Sequence, residues 1–464
     1  MNSRSCLVAP LLLGACTATA LADWSNIGGN QGRNGLVPGL GPQSATLRWS
    51  GGPSSIIAWN PSTEGDRLFV VRQTSFVPNG VPNDSRVHAL SVTTGAQLWP
   101  PFACPFASGD WTTNVYGVSH GRVYVGRGGN GSSSFAPVHC LDAATGGLLW
   151  VSVHEVGTGA YDGVVFADNG DPIFATHLEV RRIRAADGTT AWVTPRNCSV
   201  SGDCGPAIAG GSIYIDEVAP GGQILTRVDL ETGAKLYSSP VMPGFLSQNT
   251  PMCGENGMVF YARTQGNETV DFFFAWQDTG SAFVFKWKEP ALAGAGVEHG
   301  VTADGGVLML STNQRIQKRD QVTGALIAES DVPVTTQFTQ SHFAIDDAGL
   351  IFYGNGGFPG TIYSFDPDLT MRWSVPVNNL NQGGPVLASD GTLLVAGVGT
   401  DLRAYWTEPA CAPADFNCDG AVDGDDLGTQ LGAWGPCMDC PEDLNDDGVV
   451  DGDDLGALLG DWTG

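Results

Sequence analysis

Positive charge is what this chain has least of. Its 464 residues hold 22 lysines and arginines against 48 aspartates and glutamates, a formal net charge of −26. Residues 411–464 contain 14 acidic side chains and no basic one, which leaves −12 over the first 410. Without clustered Lys and Arg to neutralise phosphates, nucleic acid is not an expected partner. The same surface argues against anionic membranes. Long apolar runs are missing too. Beyond the N-terminus no stretch reaches the ~18 apolar residues that span a bilayer, so no transmembrane segment is expected. Histidine is sparse, at positions 88, 120, 139, 154, 177, 299 and 342, with no H-E-x-x-H spacing. The chain shows no nucleophile elbow, phosphate-binding loop or c-type haem sequence, and no two cysteines are adjacent.

What is abundant is carboxylate in a pattern. Asp415-Phe-Asn417-Cys-Asp419-Gly420-Ala421-Val422-Asp423-Gly-Asp-Asp426 returns 28 residues later as Asp443-Leu-Asn445-Asp-Asp447-Gly448-Val449-Val450-Asp451-Gly-Asp-Asp454. Oxygen-bearing side chains fall at loop positions 1, 3, 5, 9 and 12, and glycine falls at position 6, where the chain must turn. This spacing wraps one segment around a hard cation, and Ca2+ is the expected ion, one per loop. Position 7, Ala421 or Val449, adds a backbone carbonyl. The bland alternative is a disordered acidic tail. Two features oppose it. Each loop leads into a helical apolar pattern, Leu427, Leu431, Trp434 and Leu455, Leu459, Trp462. And 14 like charges stay compact only when cations neutralise them, so folding should be coupled to metal.

The loop pair resembles a type I dockerin, which carries D-x-N-x-D-G-x-[IV]-x-x-x-D twice. The resemblance covers about the last 50 residues and implies two calcium ions. In dockerins, positions 10 and 11 read a cohesin partner. Here they hold Gly424-Asp425 and Gly452-Asp453, so a cohesin-like or other cell-surface partner for the tail is the weaker implication.

The N-terminus reads as an export signal: Arg4, then apolar Leu7 to Leu13, then Ala20-Leu-Ala22 as the cleavage site, making residues 1–22 the leader. A second reading makes Leu13-Gly-Ala-Cys16 a lipoprotein box. Either places the chain in the cell envelope (periplasmic) or outside the cell, where disulfides form. The mature chain keeps cysteines 104, 140, 198, 204, 253, 411, 418, 437 and 440. Cys198 and Cys204 are close enough for a small loop. The four in the tail suit disulfides or, alternatively, zinc.

Between leader and tail, over residues 23–408, the chain repeats. A short strand, a turn around Thr-Gly and a strand ending in an aromatic recur, as in His88…Thr94-Gly95…Trp99, His139…Thr145-Gly146…Trp150 and Arg182…Gly188…Trp192. Then come Arg227…Gly233…Tyr237, Trp276…Gly280…Trp287 and Arg319…Gly324…Ile327, and a copy without the glycine, Ser364…Trp373. Successive glycines lie 51, 42, 45, 47 and 44 residues apart. A period in the forties with several strands per repeat predicts propeller blades, with the aromatic packed between neighbours. An upstream signal, a Gly turn before a β-rich run, occurs eight times. The eighth unit lacks an outer strand, and Ala45-Thr-Leu-Arg-Trp49-Ser at the N-terminus is spare. The fold expected is therefore all-β, an eight-bladed β-propeller closed by the N-terminal strand, followed at 409–464 by a small α-helical calcium module.

These phrases, with the opening Trp24…Gly28-Gly29-Asn30…Arg33-Asn34-Gly35, resemble the PQQ-like propeller repeat family. That family includes quinoprotein dehydrogenases and outer-membrane assembly scaffolds that bind no quinone. The dehydrogenases place quinone near an adjacent Cys-Cys disulfide, which this chain lacks, so no PQQ is expected. His88 and His139 share a repeat position and read as structural. Glu298-His299 and Ser341-His342 precede inner strands and can approach the channel. The expectation is an exported binding or scaffold protein, more a binder than an enzyme, with a protein or glycan partner at a propeller mouth. The rival is a polysaccharide-degrading glycosidase or lyase, since dockerin-bearing chains are often carbohydrate-active, and the third class is a quinone-dependent dehydrogenase. No catalytic residue is nominated.

Overall fold

Short runs of valine, isoleucine and aromatic residues, cut every few positions by a glycine turn, favour small antiparallel sheets. The computed structural model describes residues 24–75, 84–105, 112–128, 134–158, 164–198, 205–243, 250–263, 271–292, 299–335, 342–407, 413–417, 421–437, 440–445 and 447–463. The expected leader, Cys16, Cys204, Glu298, Ser341, Cys411, Cys418 and Asp419 lie outside them. The chain forms two compact units, Met1–Trp406 and Thr407–Gly464.

The first unit is an eight-bladed propeller whose blades are antiparallel sheets with strands in chain order. Blade 6 is typical: Gly300–Val301, Gly306–Leu310, Ile316–Asp320 and Leu326–Glu329, from inside out. Its second strand is buried at every residue, sandwiched by the neighbouring blades, while its fourth is largely exposed. That is why the middle strands read as continuous apolar runs rather than alternating ones. Blade 8 is the composite one: Leu47–Ser50 pairs antiparallel with Leu402–Tyr405, so the ring is closed by chain from both ends.

The Thr-Gly turns and the aromatics form one repeated joint. Trp49, Trp99, Trp150, Trp192 and Trp287 each lie on an outer strand and donate an indole N–H to a carbonyl of the next blade's turn, at Val92, Ala143, Ala185, Leu230 and Gln321, over 2.7–3.2 Å. The ring then covers the turn glycine. A Cβ on Gly146 would sit 2.6 Å from the Trp99 ring, and on Gly188 2.6 Å from the Trp150 ring. Glycine is therefore required twice, for its positive φ (71° at Gly146) and for its missing Cβ. The turn aspartate caps the same loop: Asp142 Oδ1 accepts the Thr145 N–H and hydroxyl, each at 2.8 Å. Where blade 7 lacks the glycine, Leu369 itself takes φ 69° and is fully buried.

One element has no counterpart in the repeat pattern. Residues 24–41 run as a belt along the inner edge of the ring and meet the blades in order. Trp24 O accepts from Thr63 N (blade 1), Ser25 O from Val118 N (blade 2), Gln31 O from Ile208 N (blade 4) and Gly32 O from Cys253 N (blade 5). Asn34 O accepts from Val301 N (blade 6), and Gly35 O from Ile345 N (blade 7), all at 2.7–2.9 Å. Blade 3 is met by a side chain, Gln31 Oε1 accepting from Phe166 N at 2.5 Å. At blade 8, a Cβ on Gly391 would fall 2.2 Å from Leu40 O. Innermost strands carry unpaired backbone groups, and the belt supplies their partners. Its glycines allow the close approach this needs. Gly29, at φ 87°, lies against the Trp24 ring, and Gly35, at φ 71°, lies where a Cβ would meet Phe343 O at 2.6 Å. Most of these contacts fall at the C-terminal end of an inner strand or just beyond it, so the belt runs along that end of the ring's inner edge. The opposite end is where segments arrive from the outer strands.

Candidate functional site

In the second unit, the two acidic loops are built alike. Helices α1 (Gly424–Gly432) and α2 (Gly452–Gly460) start from N-cap residues Asp423 and Asp451, loop position 9, each in a capping box with position 12. The position 12 carboxylates close the loops. Asp426 accepts the N–H groups of Phe416 (2.8 Å), Asn417 (3.3 Å) and Asp423 (3.0 Å). Asp454 accepts those of Leu444 (2.9 Å), Asn445 (3.2 Å) and Asp451 (2.8 Å). Both are fully buried. The position 9 N–H, above all, holds each carboxyl below the usual carboxylate range. At position 1, Asp443 accepts from Asp447 N (3.2 Å) and Gly448 N (2.7 Å). Asn445 and Asp447 cap the next turns, accepting from Asp447 N and Val449 N at 2.9 and 3.0 Å. Gly448 takes φ 89°, the corner that position 6 demands.

The loops are also cross-braced, which the loop spacing did not announce. Val422, position 8 of the first loop, exchanges hydrogen bonds with Thr463, beyond α2. Gly435–Pro436, beyond α1, pairs with Val449–Val450 of the second loop. A small core of Ala414, Val422 and Leu458, with Phe416, Leu427 and Leu444, lies between. Cys437 and Cys440 form a disulfide, so they do not serve as zinc ligands.

The donors present are carboxylate, carboxamide and carbonyl oxygens, the set a hard divalent cation prefers, and they fit calcium rather than a softer metal. The side chains of Asp423 and Asp426 in the first loop, and of Asp443, Asn445, Asp447, Asp451 and Asp454 in the second, are turned to backbone N–H groups. Among the described residues, no three acidic, histidine or cysteine side chains are gathered as a ligand cluster. Asp415, Asn417, Ala421 and Asp423 belong to the first loop and Asp443, Asn445, Asp447, Val449 and Asp451 to the second. The remaining expected ligand, Asp419, lies outside the described residues.

In the propeller, the histidines do not build a site. His88 Nδ1 bonds Gln97 Oε1 at 2.8 Å, and His139 Nδ1 lies 3.7 Å from Cys104 Sγ, both structural placements. His299 does not line the channel. It is buried against Phe273, with ring centroids 4.4 Å apart, among the core side chains between blades 5 and 6. The side chain of His342 lies outside what is described. Gly117-Val-Ser119-His120-Gly121 matches the letters G-x-S-x-G, but it spans a β-hairpin between Thr112–Ser119 and Arg122–Gly128. No helix follows to supply an oxyanion hole, so it is not a hydrolase elbow.

Two buried polar assemblies brace the blades. Arg196 pairs with Asp216 at 2.5 Å, both side chains fully buried, and adds Thr176 O of blade 3 at 3.1 Å. Tyr261 of blade 5 reaches Asp216 Oδ2 at 3.4 Å. Burial pushes the Asp216 carboxyl up to about 6 against the pull of Arg196. With no solvent access, this pair joins blades 3 to 5 rather than meeting a substrate. Near the closing blade, Arg72 donates to Pro53 O (2.8 Å), Gly397 O (2.9 Å) and Gly399 O, latching the segment after Ser50 to blade 8. At that same end of the axis, away from the belt, Asn381 donates to Ala58 O at 3.3 Å. Asn60 and Gln382 there are buried with amide atoms that have no hydrogen-bond partner among the described residues.

Compared by sequence, no curated protein matches this chain. Among solved structures, it is similar to the computationally designed Ika8 protein (11% identity, 78% of this chain and 100% of that one, TM-score 0.53). It is also similar to the C-terminal WD40 domain of Sif2 (13%, 77% and 97%, TM-score 0.54). A third is the quinohemoprotein alcohol dehydrogenase ADHIIG from Pseudomonas putida HK5 (13%, 82% and 76%, TM-score 0.52). At such identities the likeness speaks to fold alone. The family described as outer membrane protein assembly factor BamB, a PQQ-repeat family, matches residues 83–330, more than half of the chain. With the Thr-Gly turns, the bridging tryptophans and the eight-bladed ring, that match makes the chain a member of the PQQ-like propeller repeat family typified by BamB.

Proposed function

We propose that this is an exported, non-enzymatic binding or scaffold protein, in which a rigid propeller presents one binding mouth and a dockerin-like C-terminal module binds two calcium ions. The observation that carries the reading is the duplicated loop. Two 12-residue segments place the same donor types at the same positions and close in the same way through Asp426 and Asp454. Asp415, Asn417, Asp419, Ala421 O, Asp423 and Asp426 would hold one ion; Asp443, Asn445, Asp447, Val449 O, Asp451 and Asp454 would hold the other. The ion supplies charge neutralisation for a module that has no basic side chain of its own. In the propeller, the belt runs along one end of the ring's inner edge, and the reading puts a protein or glycan partner at the other end.

The test is calorimetric titration of the full chain with Ca2+, with thermal melts in Ca2+ and in EDTA. Two ions per chain, one lost in Asp426→Ala and one in Asp454→Ala, is the expected result. A tail transition indifferent to the chelator would end the calcium reading.

A further inference from the structure

We propose that the Cys437–Cys440 disulfide is a positioning staple for the second acidic loop, which raises that loop's calcium affinity and leaves the first loop's unchanged. The inference rests on the calcium reading above. The disulfide closes a turn with a sequence separation of three, between α1 and the second loop. Both ends of that turn grip the loop through backbone atoms. Cys437 N–H donates to Gly448 O at 2.9 Å, and Cys440 O accepts from Asp443 N–H at 3.3 Å. The residues just before the staple, Gly435–Pro436, pair with Val449–Val450. Gly448 packs close enough that a Cβ there would lie 3.7 Å from Cys437 O.

The stapled turn therefore fixes three points of one ligand frame: the position 1 donor Asp443, the position 6 corner, and the strand that carries the position 7 carbonyl. The corresponding brace on the first loop runs from Val422 to Thr463, through neither Cys437 nor Cys440; that loop's own cysteines, Cys411 and Cys418, lie outside the described residues. A ligand frame ordered in advance does not have to be ordered when the ion arrives, and affinity rises by that saving. Releasing the staple frees about one residue's worth of backbone, which corresponds to about a tenfold loss of affinity. The same geometry makes the second site responsive to a dithiol reductant. Two electrons from the dithiol break the Sγ–Sγ bond, each sulfur takes up a proton, and the dithiol closes to its own disulfide.

The experiment is calorimetric Ca2+ titration of the full chain. Asp426→Ala leaves the second site to be read alone, and Asp454→Ala leaves the first. Each is measured with the cysteines intact, with Cys437→Ser and Cys440→Ser together, and, in a background carrying Cys411→Ser and Cys418→Ser, after dithiol reduction. The expected result is a Kd about tenfold higher for the second site when the staple is open, by substitution or by reduction, with the first site unmoved. An unmoved second site overturns the inference while two bound ions in the parent protein keep the calcium reading. Equal weakening of both sites also overturns it, since the staple would then only hold the module together. A parent protein that binds no calcium removes both.

Discussion

Replacing Gly146 by alanine tests the joint that repeats around the ring. The new Cβ meets two obstacles. It forces a side chain into φ 71°, costing roughly 1–2 kcal/mol. It also lands 2.6 Å from the Trp99 ring, which must move. Moving the ring gives up the indole bond to Ala143 O, about 1 kcal/mol, and disturbs a packed contact at about 1 kcal/mol or more. The sum is about 3–4 kcal/mol. Gly280 supplies an internal control. It occupies the corresponding turn of blade 5, a tighter one closed by Thr279 N–H to Ala282 O, at φ 84°; the preceding outer strand carries Tyr237 instead of tryptophan, and a Cβ on Gly280 would meet nothing within 4 Å. Gly280→Ala should therefore cost only the backbone share, roughly 1–2 kcal/mol. Equilibrium urea unfolding followed by tryptophan fluorescence compares the two. Equal costs would refute the claim that ring contact, and not turn conformation alone, places glycine in these turns.

Other predictions concern the interior and the belt. His299 is buried without a hydrogen-bond partner among the described residues, and burial pushes its pKa down from 6.5 to about 3. Below pH 6.5 the unfolded chain takes up a proton that the folded one refuses, so stability should fall by about 1.4 kcal/mol per pH unit, or about 2 kcal/mol at pH 5. His299→Phe should lack this component, and parallel pH dependences for the two proteins would refute it. Deleting residues 24–41 should turn the Val118, Ile208, Cys253, Val301 and Ile345 amides from slow to fast hydrogen exchange, because the belt carbonyls are their acceptors. Retained protection would show that the belt is dispensable.

Most of the propeller is legible in local chemistry. Asp142, Thr145 and Gly146 form a turn whose hydrogen bonds lie within five residues, so their spacing announces the blade. Likewise Leu47–Ser50 is identifiable as the closing strand because one blade is visibly incomplete. The belt is not legible as a belt. Some of its partners lie hundreds of residues away, 305 between Gly41 and Asp346, and an irregular strand has no period to detect. Leu369 is hidden for a related reason: tertiary packing imposes a left-handed backbone on a residue that disfavours it. In the tail, the ligand pattern is a property of each loop alone. The reciprocal bracing, Val422 to Thr463 and Gly435 to Val450, arises only when the two halves meet. One histidine misleads. Proximity to an inner strand suggests that His299 looks into the channel, whereas its ring packs against Phe273 of blade 5.

The belt also sets a timetable. Residues 24–41 are made before any blade, yet Ile345 and Gly391 are among the last partners made, and Leu47–Ser50 waits for Leu402–Tyr405. Early blades can form as they emerge, but the opening segment must stay uncommitted until nearly the whole chain exists. Assembly therefore ends in one late, long-range event, and until then the inner strand edges stay exposed to wrong partners.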